Sequence, residues 1–160
     1  MKAIVCVDKN WGIGKNGDLL VSCKKDMQFF KETTMNKTII MGRKTLESFK
    51  DAKPLKNRIN VVLSSNDLKR DDIVQFNSID EFLNSSYYNE DSIVIGGGSI
   101  YKQMLPYCDE IYVTKILREY EADTFFPNLD ELNYEIVKES EEFEENEVCF
   151  KFLVYKKTKN

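Results

Sequence analysis

Short apolar runs recur along this chain: KAIVCV at 2–7, TIIM at 38–41, INVVL at 59–63, IVQF at 73–76, SIVI at 92–95 and EIYVTKI at 110–116. Each has the length of a buried strand and is short for a core helix. Helical patterns lie between them. From Lys24 to Thr34, the residues Met27, Phe29 and Phe30 mark one apolar face among Lys and Glu. KTLESF at 44–49 turns Leu46 and Phe49 inward, and a further short helix is expected over 99–105. Ser78 with Glu81 makes a capping box, opening a helix that buries Ile79, Phe82 and Leu83. Strands alternating with helices specify an α/β chain, with a doubly wound, mostly parallel sheet and helices on both faces.

After about residue 117 the pattern changes. Segments 134–140 and 147–157 both read as extended, separated by the acidic stretch SEEFEENE. They predict a C-terminal antiparallel hairpin at the sheet's edge, making the sheet mixed, with the acidic stretch as a solvated turn. Residues 8–23, which hold Gly12, Gly14 and Gly17, read as a flexible loop without a regular element. Residues 50–58 read as a surface crossover. With 160 residues, the chain suffices for one domain, 1–160, and is short for two.

Composition narrows the chemistry. There is no histidine, and Cys6, Cys23, Cys108 and Cys149 form no CxxC pair. No metal site is therefore expected, the thiols are read as reduced, and Ser-His or Cys-His catalysis is excluded. Any acid-base step falls to a carboxyl, lysine, tyrosine, thiol or water. No apolar run approaches the roughly 18 residues of a membrane span, and MKAIVCVD is short for a secretory signal, so a cytoplasmic address is expected. Net charge is −4, divided as +8 over residues 1–70 and −12 over 71–160. The lysines of the first half are scattered rather than striped, which argues against nucleic acid. They suit a small anionic ligand, although an uneven solvated surface explains them as well.

In doubly wound sheets, ligands bind beyond the carboxyl ends of the strands. Ile95-Gly96-Gly97-Gly98-Ser99-Ile100-Tyr101 follows one such end; three glycines let backbone N–H groups approach a phosphate at a helix start. A plain close-packed turn is the alternative. Gly42-Arg43-Lys44-Thr45 follows another, with two cations where a helix dipole disfavours them unless an anion lies between. Ser64 and Ser65 add hydroxyls after a third strand. Two such starts suggest a dinucleotide, and the extra arginine a 2'-phosphate. Asp26 shares a helix face with Phe30. It serves either as an ordinary first-turn acid or, facing a cleft, as acceptor for a flat N–H-rich ring and candidate for acid-base work. Arg58 suits a carboxylate tail or simply solvent.

Taken in order, these segments resemble the dihydrofolate reductases of the bacterial chromosomal type along nearly the whole chain. The likeness runs through Gly12-Ile13-Gly14, Asp26-Met27 with Phe29-Phe30, Ile40 to Thr45, Pro54-Leu55 with Arg58, Val62 to Ser65, Val94 to Gly98, Ile111 to Thr114, and Asp123 to Pro127. It implies NADPH-dependent reduction of 7,8-dihydrofolate, by hydride transfer to C6 and protonation at N5. Asp26 resembles the carboxylate that binds the pterin and promotes that protonation, and Thr114 the threonine supporting it. Val5, Cys6, Leu19, Phe30, Phe49 and Leu55 match pocket positions, and Arg58 the arginine that pairs with the glutamate tail. Arg43, Lys44, Thr45, Ser64 and Ser65 match the adenosine-phosphate side of NADPH; Gly96 to Tyr101, with Ser99 and Ile100, match its pyrophosphate loop. Cys6, Ile13, Gly14, Gly42, Ile95 and Thr124 should also touch cofactor. The resemblance further implies a monomer that takes antifolate inhibitors in the same pocket. The rival readings are a related pyrimidine reductase of riboflavin synthesis and a catalytically impaired folate- or nucleotide-binding protein.

The chain departs from the family pattern in the lid, residues 9–23. Where a Leu-Pro-Trp run and a further proline are usual, it has Leu19-Leu20-Val21 and then Ser22-Cys23-Lys24. The lost tryptophan removes an N–H that holds water beside the carboxylate, and the lost prolines predict a more mobile lid. Ser99 stands where an arginine often meets the 2'-phosphate.

Overall fold

A computed structural model describes residues 1–158. The apolar runs form parallel strands: β1 Lys2–Val7, β4 Thr38–Gly42, β5 Ile59–Leu63, β6 Val74–Phe76, β7 Ile93–Gly96 and β8 Glu110–Ile116. At the far edge, β10 Tyr134–Glu139 and β12 Val148–Lys157 run antiparallel, giving the order β10-β12-β8-β1-β7-β4-β5-β6. Helices α1 Lys24–Thr34, α2 Arg43–Ser48, α3 Ile79–Leu83 and α4 Gly98–Met104 fill the crossovers.

Both faces of the sheet are covered, as the unbroken apolar runs require. Along β4 the side chains alternate. Ile40 joins one core with Val5, Val61, Phe82, Val94, Tyr101 and Met104, whereas Ile39 and Met41 join a second with Leu46 and Val62. All of β4 from Ile39 to Met41 is fully buried, and each such aliphatic side chain contributes about 1.5–3 kcal/mol. Half of the capping box at α3 forms: Ser78 Oγ accepts from the Glu81 N–H at 3.2 Å, while Glu81 Oε2 accepts from the N–H of Asn77, one residue before the cap, at 2.9 Å.

Two expectations are corrected. Residues 8–23 are not an unstructured loop. They hold β2 Gly12–Lys15 and β3 Asp18–Leu19, which form a small second sheet with β9 Thr124–Phe125. The turn is Asn16-Gly17, with φ of 52° and 83°; two positive φ values are what a tight hairpin turn demands. The acidic stretch is not merely a solvated turn either. It contains β11 Phe143–Glu145, which pairs with β12, and Phe143 packs against Phe150 and Phe152.

Candidate active site

β1 is flanked by β8 and β7, and β4 lies beyond β7. The chain leaves β1 toward β4 and leaves the neighbouring β7 toward β8, so the two connections run in opposite directions and open a crevice at these carboxyl ends. β1 and β8 pair with Cys6 opposite Thr114. Over that pair lies the first turn of α1, where the Thr114 hydroxyl donates to Asp26 Oδ1 at 2.5 Å. The Cys6 thiol lies beside the same carboxyl. Burial pushes the Asp26 carboxyl above the usual aspartate range, and the Thr114 hydrogen bond and the neighbouring Cys6 thiol oppose that without cancelling it. Burial, with Asp26 alongside, also pushes the Cys6 thiol well up, so it remains a neutral donor.

Across the crevice, β7 ends at the glycine turn. A Cβ on Gly96 would lie 3.3 Å from Thr45 Oγ1, and one on Gly97 3.4 Å from the same atom. On Gly98 it would fall 2.5 Å from Thr124 Cγ2 and 3.9 Å from Ile13 Cδ1. The turn is thus built of glycine because α2, β9 and the lid close on it, and its bare backbone forms a cradle open enough for a phosphate. Ile13, Gly14, Gly42, Thr45, Ile95, Gly96 to Gly98, Ile100 and Thr124 are gathered around this cradle. A Cβ on Gly42 would meet Ile100 Cγ1 at 3.0 Å.

The remaining candidates sort themselves by their contacts. Tyr101 is fully buried; its hydroxyl donates to the Ile4 carbonyl at 2.7 Å, so its side chain shapes the turn from within the core. Arg43 pairs with Glu47 at 2.9 Å, which offsets part of the charge expected to await an anion, while Lys44 and Ser65 are exposed. Ser64 Oγ bonds the Asn66 backbone, and Ser99 Oγ accepts from Gln103. Arg58 donates to the Lys56 carbonyl at 2.8 Å and to Thr34 Oγ1 at 3.3 Å, with no carboxylate partner among the described residues. Burial lowers its pKa. Asn60 bonds both backbone groups of Leu55, and Phe49 and Leu55 pack on the second core. Val5 is buried beneath the crevice, Phe30 half-buried, and Leu19 is 75% exposed on the lid.

Several contributors escaped the sequence reading. Asp8, 2% exposed, accepts from the N–H groups of Asn10, Gly12 and Tyr120, tying the base of the lid to the loop after β8. Asp123 accepts from the Asn16 N–H at 2.8 Å, holding the lid's tip. Trp11 is core, stacked with Phe126 and covered by Lys115, and does not stand in for the missing lid tryptophan. A narrow cavity under the lid is lined by Cys6, Asp8, Ile13, Leu19, Leu20 and Ile116. A roomier one of about 310 Å³, lined by Lys2, Lys37, Asp91 and Tyr112, lies at the opposite strand ends. Of the former's lining, Cys6 neighbours Asp26 and Ile13 approaches the glycine turn.

A bare glycine turn and one partly buried carboxyl, both beside the carboxyl ends of neighbouring strands in a doubly wound sheet, make a crevice of the class that takes nucleotide cofactors. A family model described as dihydrofolate reductase matches residues 1–157. The chain is 38% identical over 157 residues to the dihydrofolate reductase of Bacillus subtilis, covering 96% of this chain and 92% of that one. It is 35% identical to that of Haemophilus influenzae, covering 94% of each. A solved structure of the Enterococcus faecalis enzyme, complexed with NADP(H) and RAB-propyl, superposes with a TM-score of 0.86 at 33% identity, over 98% of this chain and 95% of that one. This chain belongs to the dihydrofolate reductase family.

Proposed function

We propose that this chain reduces 7,8-dihydrofolate to 5,6,7,8-tetrahydrofolate with NADPH, with Asp26 as the carboxylate that binds and polarises the pterin. The single observation carrying the assignment is the Thr114–Asp26 hydrogen bond beside the glycine cradle. NADPH, when bound, supplies the hydride for substrate C6. Gly96 to Gly98, Thr45 and Thr124 would hold its pyrophosphate, with Arg43, Lys44, Ser64 and Ser65 toward its 2'-phosphate.

The protein's own share is placement and charge. Asp26 accepts N–H donors of the pterin, and its negative charge, in a site the lid shields from bulk water, favours a proton at N5. Thr114 holds the carboxylate at one orientation, so little reorganisation is needed during the step. Arg58 has no carboxylate partner among the described residues, which suits it to the glutamate tail. Antifolates would occupy the same pocket. A cytoplasmic monomer without a nucleic-acid partner fits the scattered charge; among the described residues no helix is long and apolar enough to cross a membrane.

The test is NADPH oxidation followed by absorbance with dihydrofolate, and separately with a riboflavin-pathway pyrimidine. Turnover with dihydrofolate and tetrahydrofolate as product is expected. Cofactor binding without turnover would instead indicate the impaired binding protein.

A further inference from the structure

Helix α1 carries Asp26 in its first turn, yet nothing in its own neighbourhood caps it. Cys23 stands at the N-cap position without a side-chain hydrogen bond to the helix. The Lys24 N–H donates instead to Glu145 Oε2 at 2.6 Å and the Lys25 N–H to Glu145 Oε1 at 3.2 Å. One carboxylate, reaching in from β11, thus takes two of the four donors a helix start leaves unpaired. The same hairpin holds that turn by a second contact: the Lys25 ammonium lies over the Phe143 ring, 4.2 Å from its centroid.

Asp26 is the third residue of α1. An acid at that position ordinarily reaches back toward the open donors of the helix start. Here Glu145 occupies two of the open donors, those of Lys24 and Lys25, and Asp26 turns inward to Thr114. We propose that Glu145 is a positioning residue for the reduction: by capping α1 from a distant strand, it leaves the Asp26 carboxylate to the substrate pocket. The inference rests on the role given to Asp26 above. The titratable and charged groups around that carboxylate are Cys6 from β1, with Asp8 behind it, Cys23 at the helix start, Lys24 and Lys25 on its own turn, and Glu145 beyond the helix end; Thr114 faces it from β8.

Glu145→Ala and Glu145→Gln separate the possibilities, each compared with wild type. The readouts are kcat/KM for dihydrofolate, KM for NADPH, and carbon-13 NMR titration of the Asp26 carboxyl in ligand-free protein. Glu145→Ala is expected to lower kcat/KM for dihydrofolate about tenfold, to leave KM for NADPH within about twofold, and to bring the Asp26 titration down as that carboxylate turns to the vacated N–H groups. Glu145→Gln keeps one acceptor oxygen but turns an NH2 toward the other N–H, so it should restore only part of both. An unchanged kcat/KM and Asp26 titration in Glu145→Ala overturns the proposal. So does a loss extending equally to NADPH. Wild type without dihydrofolate turnover strikes at the Asp26 assignment instead, and the NMR titration still decides whether Glu145 sets that carboxylate's position.

Discussion

Thr114 and Asp26 lie 88 residues apart in sequence, on β8 and α1, yet the threonine hydroxyl reaches the carboxylate at 2.5 Å. The threonine is 1% exposed, so no water replaces it if the hydroxyl is lost. Thr114→Val keeps the volume and removes the donor. It should push the Asp26 pKa further up, because burial then acts with only Cys6 opposing it. It should also cost about 1–2 kcal/mol of stability and lower kcat/KM for dihydrofolate roughly tenfold; NMR titration, denaturant unfolding and steady-state kinetics check the three effects.

The direction of the Asp26 shift makes a claim about stability. A carboxyl whose pKa is raised on folding binds its proton more tightly in the native state. Its contribution is therefore most favourable below the unfolded aspartate pKa and is lost as pH rises through the folded one. Asp26→Asn should melt roughly 1–3 °C above wild type at neutral pH, with the difference vanishing in acid. Thermal unfolding across pH tests the sign.

The glycine cradle predicts a defined rescue. Gly98→Ala places a methyl group 2.5 Å from Thr124 Cγ2, so the turn or the threonine must shift. KM for NADPH should rise at least tenfold, with the dihydrofolate KM little changed. Adding Thr124→Ser removes the clashing methyl and should recover most of the loss.

Arg58 should matter to one end of the substrate. A charge-assisted bond of about 1.5–3 kcal/mol implies a roughly 10- to 100-fold rise in the dihydrofolate KM for Arg58→Gln. A dihydropterin lacking the glutamate tail should be indifferent to the change, and comparing the two substrates isolates the contact.

Much of this architecture is readable from local pattern. Ile39 to Met41 and Val61 to Leu63 are apolar without interruption because strands buried on both faces need no polar side. The helix from Lys24 to Thr34 and the strand from Glu110 to Ile116 fall at their expected bounds. The lid hairpin carried a usable signal, Asn16-Gly17, which three scattered glycines obscured. Glu145 carried none, since its cap is made some 120 residues away in sequence. For Asp26, the local sequence describes a capping acid as well as an active-site one; only the positions of β8 and β11 decide which way it faces.

The role of Asp26 is tested most directly by the rate of NADPH oxidation at neutral pH with saturating dihydrofolate, in wild type and Asp26→Asn. The account predicts rapid wild-type turnover and a loss of at least about 100-fold in the variant, with NADPH binding retained. Equal rates, with dihydrofolate saturation unchanged, would contradict it.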